Sequence, residues 1–566
     1  MHIIIFYIYH KKLPTSLRKR YMGFEGWRSV KVCIFDGYVD EPGLLGVPPY
    51  ISTYPRYLSG AVRAAGHEVE YRTVTQWRKE GKQLDARPDI MVVITGAVVP
   101  GKYLRDMPIS MKELSMLLGQ ARCDVLIAGP HTNKDSLPND IKDRALVLEG
   151  DPDAQVFDIL EKGSMAPRKR TKEEWKVWPV VGAECAANHQ DFPQPLIAEV
   201  ETYRGCVRYK SGGCSFCMEP AHGRPEFREQ DDIISEMVEL SRLGIRNFRL
   251  GGQTCFFSYK TQGIGESETP KPDPNAVRQL LVGINTKVEF DVLHIDNANP
   301  AVIAEHPGES KEIAELVVKH CTSGNVAALG MESADPVVIE SNNLNATPEQ
   351  VLTAIRLLNR AGAARGENGM PALLPGLNFL GGLPGETKRT FEMNFQFLKE
   401  VMDEGLMVRR INIRQAAPTD KFPLKERRGF YNFKRRVREE IDKPMLERIA
   451  PLDTVLTRAF IELRIGKSTY CRQVGSYPLL LVLPYPAEQD RYVDVRVTGY
   501  GQRSLRVIEE PVNLNNAGMS VLQAIPGIGK KRAGTIALNR PFSNWTEVEK
   551  VLGEDIVREL KEHCTL

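Results

Sequence analysis

The sequence predicts an α/β protein of several domains, and three observations support this prediction. The chain has 566 residues, a length that usually divides into three or four domains. From residue 32 onward, short apolar runs alternate with amphipathic stretches, which is the pattern of strands and helices in a parallel, doubly wound sheet. With 42% hydrophobic and 26% charged residues, the composition is that of an ordinary globular protein and not of a disordered chain.

Charge and hydropathy narrow the classes of function only a little. A formal net charge of +3 neither requires nor excludes a nucleic-acid partner. No apolar run approaches the roughly 20 residues that a membrane span needs, so no membrane association is predicted. Residues 1–21 are first apolar and then basic, the reverse of a signal peptide, and we expect them to be an extension ahead of the first domain. Ten cysteines without a secretory signal favour a cytoplasmic protein.

The first predicted domain covers residues 22–165. A strand is expected at 32–35 and an amphipathic helix at 55–66. The run 145–160 closes the domain with a strand, a turn and a helix. Residues 166–194 are predicted to be a linker, because they open with a basic run that we expect to be solvated.

Three cysteines lie on one glycine-rich loop, with the spacing Cys206-x7-Cys214-x2-Cys217. A strand-like run at 196–200 precedes the loop. Three clustered thiolates without a close fourth suit an iron–sulfur cluster that keeps one iron open. A structural zinc site normally closes with a fourth Cys or His; His222 is nearby, so zinc remains an alternative.

Several strands predicted downstream of this loop end in glycine or in polar residues. The carboxyl ends of parallel strands face the active mouth of an α/β barrel, and glycine lets the backbone approach a ligand closely. A helix at 347–362, with a capping box formed by Thr347 and Gln350, lies between two of these strands. His294 and Asp296 lie at the end of another predicted strand, 290–295, and are site candidates on that ground, with ordinary rim residues as the alternative. Cys255 is expected to be a buried thiol. The strand-end residues are Gly251, Gly252, Gln253, Glu332, Ser333, Gly381, Gly382 and Arg414.

The cysteine loop, followed in this order by these strand ends, resembles the radical S-adenosylmethionine superfamily over residues 195–420. The resemblance implies a partial α/β barrel. It implies that Cys206, Cys214 and Cys217 hold a 4Fe-4S cluster whose fourth iron binds the methionyl end of S-adenosylmethionine. Electron transfer would then release a 5′-deoxyadenosyl radical that abstracts hydrogen from the substrate. The usual spacing is Cys-x3-Cys-x2-Cys, so the first gap here is four residues longer.

The resemblance also implies cofactor-binding roles for the strand ends. Residues 251–253 would receive the amino group of the cofactor, with Gln253 standing where the family has glutamate. Glu332 and Ser333 would meet its ribose, and the turn at 381–382 would approach it through the backbone. Arg414 would point at the cofactor region; the alternative is a cation that is paired on the rim.

Residues 46–69 resemble the Rossmann-like domain found ahead of many enzymes of this superfamily. Some of those domains bind cobalamin through an Asp-x-His-x-x-Gly loop. His67 and His131 both lack this context, so cobalamin is not predicted, although binding without a histidine ligand stays open.

Residues 421–510 are predicted to form a basic helix and a small β segment. The run 421–438 holds eight Lys or Arg among four aromatic residues. This pattern suits a phosphate-rich partner through charge and base stacking, and equally an amphipathic helix with a solvated basic face. The run 493–505 loosely resembles the TRAM β-barrel that binds RNA in methylthiotransferases.

Residues 511–566 end the chain, and their run Ile525-Pro-Gly-Ile-Gly529 between two predicted helices resembles a helix-hairpin-helix domain. The resemblance implies that Gly527 and Gly529 present backbone amides to a nucleic-acid phosphate. Lys530 and Lys531 would add positive charge there. The alternative is a module that docks another protein.

These features predict a radical enzyme that modifies a macromolecule, most simply RNA such as tRNA. The tail would bind RNA or DNA, and an electron donor would reduce the cluster. One alternative is a radical enzyme acting on a protein side chain or a small molecule. The other is a non-enzymatic iron–sulfur or nucleic-acid binding protein. The pattern does not identify catalytic residues beyond those of the cofactor site.

Overall fold

The computed structural model describes residues 29–41, 44–46, 49–84, 87–96, 103–129, 137–416, 422 and 424–566. The predicted extension at 1–21, His131 and Lys421 lie outside the described residues. The chain folds into two compact units. Unit 1 holds the residues up to Thr202, with Arg228–Phe248 and Gly283–Phe290; unit 2 holds Tyr203–Phe227, Arg249–Val282 and Asp291–Leu566.

Unit 1 is built on a parallel five-stranded sheet with the order β5-β1-β6-β7-β8. All five residues of β6 and four of β7 are buried, as expected for strands covered on both faces. Outside this sheet, β4 pairs with β9 in parallel. The strands are β1 (Lys31–Asp36), β2 (Val39–Glu41), β3 (Leu44–Gly46), β4 (Tyr50–Ile51), β5 (Glu68–Thr73), β6 (Ile90–Ile94), β7 (Asp124–Ala128), β8 (Leu146–Val147) and β9 (Ile197–Glu201). This sheet confirms the predicted α/β class.

The segment predicted to be a linker is instead ordered helix within unit 1. Trp175 and Trp178 are buried, and Arg168 pairs with Asp158 at 2.7 Å, so apolar burial and ion pairs hold the segment in place. The linker prediction is therefore wrong. The helices of this unit are α1 (Thr53–Ala64), α2 (Val74–Lys79), α3 (Met111–Gln120), α4 (Asn139–Lys142), α5 (Pro152–Lys162), α6 (Lys172–Val181) and α7 (Gln230–Arg242).

Unit 2 contains a parallel four-stranded sheet, β14-β15-β16-β17, and a closed barrel of five strands, β18-β19-β20-β22-β21. The predicted small β segment belongs to this barrel, which begins earlier than expected, at Val455. The strands from residue 203 on are β10 (Tyr203–Arg204), β11 (Glu226–Phe227), β12 (Asn247–Gly251), β13 (Val292–Ile295), β14 (Asn297–Ala298), β15 (Asn325–Glu332), β16 (Leu373–Gly381), β17 (Arg410–Gln415), β18 (Val455–Ile465), β19 (Ser468–Gln473), β20 (Leu480–Leu483), β21 (Tyr492–Tyr500), β22 (Ser504–Glu509), β23 (Val512–Asn513) and β24 (Cys564–Thr565).

One of the later helices, α12 (Pro348–Gly362), begins where the sequence predicted a helix start. The capping box between Thr347 and Gln350 is present and opens α12, as predicted. In the tail, the pairing of β23 with β24 joins the two ends of a group of four helices. These later helices are α8 (Pro274–Lys287), α9 (Pro300–Glu305), α10 (Pro307–His320), α11 (Pro336–Ser341), α12 (Pro348–Gly362), α13 (Lys388–Asp403), α14 (Arg427–Arg436), α15 (Asp442–Ile449), α16 (Met519–Leu522), α17 (Lys530–Asn539), α18 (Trp545–Leu552) and α19 (Glu554–Leu560). Among the described helices, none combines the length and apolar character needed to cross a bilayer.

Candidate cofactor site

The cysteine loop places its three thiols close enough that ionisation of one raises the pKa of another. Arg208 connects two of them, because its backbone amide approaches the Cys206 sulfur and its guanidinium the Cys214 sulfur, both at 3.5 Å. The backbone amide of Cys217 donates to the carbonyl of Cys214 at 2.9 Å. Burial raises the pKa of all three thiols, to about 11 for Cys214 and about 12 for Cys217. Iron that replaces the thiol protons would neutralise the thiolate charges and so offset the free-energy cost of burying them.

Asn343 fixes the seven-residue segment between Cys206 and Cys214 through hydrogen bonds. Its side-chain amide donates to the carbonyl of Gly213 at 2.9 Å, and its side-chain oxygen accepts from Arg208 at 2.7 Å. Arg208 also donates to the Asn343 carbonyl at 2.9 Å and to Glu268 at 2.8 Å. The next part of the loop is fixed in the same way, because the backbone amide of Ser215 donates to the carbonyl of Asn342 at 3.0 Å. The extra residues of the gap are thus tied to the end of α11.

We predict that Asn343 is a positioning residue for the loop. Its φ of +48° lies in the left-handed region, which costs a non-glycine residue about 1–2 kcal/mol. Asn343→Gly would keep this conformation and lose the side-chain bonds, whereas Asn343→Ala would lose the bonds and keep the strain. We expect both variants to retain severalfold less iron per chain after anaerobic reconstitution, and the alanine variant to unfold at the lower temperature.

The control for this prediction is Asp453→Ala, which changes another left-handed residue, at φ +65°, in the loop before the small barrel. It should retain the iron content of the wild-type protein. Wild-type iron content in Asn343→Gly would contradict the positioning role.

The cysteine loop packs against two predicted strand ends. Cys214 and Phe216 lie against a buried cluster that contains Val338 and Leu383, the residue after the glycine pair at 381–382. On another side, the Thr254 hydroxyl donates to the carbonyl of Gly205 at 3.2 Å. The predicted turns at 251–253 and 381–382 therefore both lie beside the loop.

The turn at 251–253 has the backbone geometry that glycine permits. Gly252 has a φ of +69°. Gln253 is buried, and its side-chain amide donates to the carbonyl of Leu250 at 3.0 Å, which closes the turn. The side-chain amide of Asn297 donates to the Gln253 carbonyl at 3.2 Å. Cys255 is buried, as expected, and its sulfur accepts from the backbone amide of Asn299 at 3.2 Å.

Glu332 and Arg414 lie on the same face of the four-stranded sheet. The residues of this inner face are partly exposed, whereas the alternating residues, among them Met331 and Ile413, are buried. Removal from water raises the pKa of the Glu332 carboxyl to about 8, and the charge of Arg414 opposes that shift. Glu332 has a φ of +59°, and the next residue, Ser333, is buried with its hydroxyl accepting from the backbone amide of Asp335 at 3.2 Å. The inner-face residues are Gly330, Glu332, Asn378, Leu380, Arg410, Asn412 and Arg414.

The basic segment after the sheet packs its aromatic side chains into the core. Phe430 and Phe433 are buried, with Phe433 5.4 Å from Phe379 and Phe430 5.9 Å from Phe391, measured between ring centroids. A Cβ on Gly381 would collide with the Phe430 ring, so any larger residue at that position would force the ring or the turn to shift. The structure therefore favours an amphipathic helix with a basic outer face over base stacking by these two rings.

A tyrosine from the small barrel meets the polar residues at the ends of β12 and β13. The Tyr477 hydroxyl donates to Asp296 at 2.7 Å and accepts from Arg249 at 3.0 Å, and Arg249 and Asp296 form a fully buried ion pair. His294 is also buried, and its Nδ1 accepts from the backbone amide of Ser476 at 3.1 Å. His294 and Asp296 thus help to hold the small barrel, a role that the sequence did not indicate.

The chemistry of the donor set fits an iron–sulfur cluster. In the described part of the chain, no three Cys, His, Asp or Glu side chains are arranged to share a single metal ion. A cubane cluster binds each thiolate through a different iron, so its ligands stand further apart than those of one ion. Cys206, Cys214 and Cys217, held on one loop, are the residues that would bind it.

The predicted phosphate-binding residues lie in the tail, on elements other than those of the cysteine loop. Gly527 has a φ of +74°, and Gly529 is the residue from which α17 starts. Both glycines are exposed, as are Lys530 and Lys531, while Ile528 is buried and fixes the turn.

Comparison with known proteins identifies the family. The profile of the radical SAM superfamily matches residues 200–398, a segment that holds the three cysteines, Glu332 and Gly381. An uncharacterized protein of Methanocaldococcus jannaschii is 45% identical over 502 residues, which cover 84% of this chain and 92% of that protein. An uncharacterized protein of Archaeoglobus fulgidus is 40% identical over 94% of this chain and 99% of its own length.

More distant relatives have named activities. A tRNA-2-methylthio-N(6)-dimethylallyladenosine synthase of Treponema pallidum is 24% identical over 326 residues, covering 53% of this chain and 63% of that protein. Among solved structures, the cobalamin-dependent S-adenosylmethionine radical enzyme OxsB is similar with a TM-score of 0.47 and 13% identity, over 71% of this chain and 56% of that one. We conclude from the profile match and the close relatives that the chain belongs to the radical SAM superfamily and is an enzyme of that class.

Proposed function

We propose that the enzyme cleaves S-adenosylmethionine reductively and uses the resulting radical to modify an RNA. When bound, the cluster supplies the electron that breaks the cofactor's sulfur–carbon bond, which yields methionine and the 5′-deoxyadenosyl radical. The observation that carries this proposal is that the cysteine loop, the turns at 251–253 and 381–382, and Glu332 converge on one site in unit 2.

The chain's own residues would bind and orient the cofactor. The turn at 251–253 offers backbone groups and the Gln253 side chain to the cofactor's amino group, as the family resemblance implies. Burial raises the pKa of the Glu332 carboxyl and so favours its protonated form, which could donate as well as accept a hydrogen bond at the ribose. Gly382, with a φ of +94°, gives the turn at 381–382 a conformation that favours glycine, and this turn would approach the cofactor through its backbone, as the family resemblance implies.

The tail supports RNA as the substrate. Gly527 and Gly529, both exposed and next to the exposed Lys530 and Lys531, form a surface that suits a phosphate. The relative that modifies tRNA points the same way. The prediction that no cobalamin is bound remains a prediction, as does the need for an electron donor that reduces the cluster.

The proposal can be tested with the full chain, reconstituted anaerobically and reduced with dithionite. We expect it to produce 5′-deoxyadenosine and methionine from S-adenosylmethionine. We also expect it to bind tRNA transcripts with an affinity that falls as salt rises. The double variant Lys530→Gln/Lys531→Gln should reduce the slope of log affinity against log salt concentration by about one for each phosphate contact that is lost. Lys550→Gln, an exposed lysine elsewhere in the tail, is the control.

The alternatives give different results. Cofactor cleavage without RNA binding would favour a protein or small-molecule substrate, with the tail as a docking module. Absence of 5′-deoxyadenosine from a protein that contains its cluster would overturn the enzymatic proposal and leave a binding protein.

A further inference from the structure

Five basic side chains gather around the start of β17, and we name them the Arg503 cluster. Arg409 and Arg410 stand at the start of β17, and Lys434 and Arg438 belong to α14 and the helical turn after it. Arg503 comes from the loop between β21 and β22 of the small barrel. Three separate parts of unit 2 therefore contribute to the cluster.

The cations of this cluster are close enough to repel one another. Burial, Arg410 and Arg503 lower the pKa of Arg409, to about 9. Burial, Arg438 and Arg503 lower the pKa of Lys434, and burial, Arg438 and Arg410 lower that of Arg503, which Asp442 opposes. A protein keeps like charges together at a cost in free energy, which a bound anion can offset.

The carboxylates near the cluster do not balance these charges. Asp442 accepts from Arg438 at 2.6 Å and lies 3.5 Å from Arg503. Asp296 acts on Arg410 from a distance, but it is already ion-paired with the buried Arg249. Among the described residues, these two carboxylates thus face the five cations of the cluster and Arg249 as well, so positive charge is left over.

The cluster contains one strongly exposed side chain and one side chain of the inner face. The side chain of Arg503 is 60% exposed. Arg410 lies over the Tyr477 ring, with its guanidinium carbon 4.3 Å from the ring centroid, and it shares the inner face with Arg414. Four residues along a strand separate Arg410 from Arg414, which corresponds to about 13 Å. A ligand could therefore extend from the cluster towards Glu332 and Arg414.

We propose that the Arg503 cluster binds a phosphate group of the substrate and so places the nucleotide that bears it on the inner face of the sheet. This inference rests on the proposed function in naming RNA as the source of the phosphate. Guanidinium groups suit the task, because their paired N–H donors match two phosphate oxygens. A phosphorylated small molecule would present the same chemistry, so the experiment must distinguish the two sources.

The test compares the reconstituted full chain with Arg503→Gln and with Lys434→Gln. Iron content after reconstitution checks that each variant is folded. We expect each substitution to weaken binding of tRNA transcripts roughly tenfold at moderate salt and to lower the log–log salt slope by about one. Arg435→Gln is the matched control, because Arg435 lies on the same helix but pairs with Glu439 on its exposed side. Its affinity should stay within twofold of the wild type.

A second measurement separates failure of the phosphate site from failure of the RNA proposal. Inorganic pyrophosphate should raise the thermal unfolding midpoint of the wild type and of Arg435→Gln, but not that of Arg503→Gln. If the wild type binds no RNA but shows this difference with pyrophosphate, the phosphate site stands and the substrate is a phosphorylated small molecule. If Arg503→Gln behaves like Arg435→Gln towards both probes, the phosphate site is overturned.

Discussion

Cys214→Ala is expected to abolish the iron–sulfur cluster and, with it, all cleavage of S-adenosylmethionine. The Cys214 sulfur lies 3.5 Å from the Arg208 guanidinium, and its side chain packs against the apolar residues Val338 and Leu383. With only two thiolates left, the loop cannot hold three irons and keep the fourth open. Electron paramagnetic resonance of the reduced protein should show no 4Fe-4S signal, and 5′-deoxyadenosine should fall below detection.

A second thiol in the same unit supplies the control for this experiment. Cys255 is buried and accepts a hydrogen bond from the Asn299 amide, so Cys255→Ser keeps an acceptor there. This variant should retain the signal and its change on addition of the cofactor. A cluster that survives in Cys214→Ala, or a wild-type signal that is indifferent to the cofactor, would contradict the assignment of these three ligands.

Gly381→Ala is expected to disturb both stability and cofactor binding, since its new methyl group would collide with the Phe430 ring. Overpacking of this kind typically costs 1–3 kcal/mol. To relieve it, α14 or the turn at 381–382 must move, and that turn is where the cofactor is expected to approach. We expect the thermal midpoint to fall by a few degrees and the affinity for S-adenosylmethionine to fall at least tenfold, as measured by equilibrium dialysis of the reconstituted protein.

The double variant Gly381→Ala/Phe430→Ala tests whether the collision is the cause. Phe430→Ala alone leaves a cavity and should cost about 3–5 kcal/mol. The added methyl group would occupy part of that cavity, so the double variant should be no less stable than Phe430→Ala. Losses that simply add would contradict the packing of Phe430 on Gly381. Gly308→Ala, whose Cβ would meet no atom within 4 Å, is the neutral control.

The sequence revealed those parts of the site that have a short local pattern. The three cysteines share one loop, the glycine turns and Glu332 lie at strand ends, and the structure brings them together around the cysteine loop. Asn343 and Tyr477 could not be found in this way. They contact residues more than 100 positions away, such as Arg208 and Asp296, and such pairings leave no periodicity in one sequence.

For two other segments, the basic segment and the predicted linker, the sequence did contain a pattern typical of a buried helix, but it was interpreted differently. Phe430, Phe433 and Val437 recur at helical spacing, which indicates one buried face, and all three are buried. In the segment taken for a linker, Thr171 and Glu174 form a capping box just ahead of the buried Trp175. Both segments contain basic residues, which suggested that the segments are solvated. The spacing of their apolar residues nevertheless indicated helices with one buried face, which the structure contains.

The packing of Phe430 on Gly381 also connects the proposed binding sites of the substrate phosphate and of S-adenosylmethionine. The same helix, α14, carries Lys434 of the Arg503 cluster and the ring that lies against the glycine turn. A substrate phosphate that fixes the position of this helix would also favour one arrangement of that turn. Thermodynamic linkage then requires that S-adenosylmethionine and the substrate change each other's affinity by the same factor. Where the favoured arrangement is the one that admits the cofactor, the enzyme binds its cofactor most tightly when a substrate is present to receive the radical.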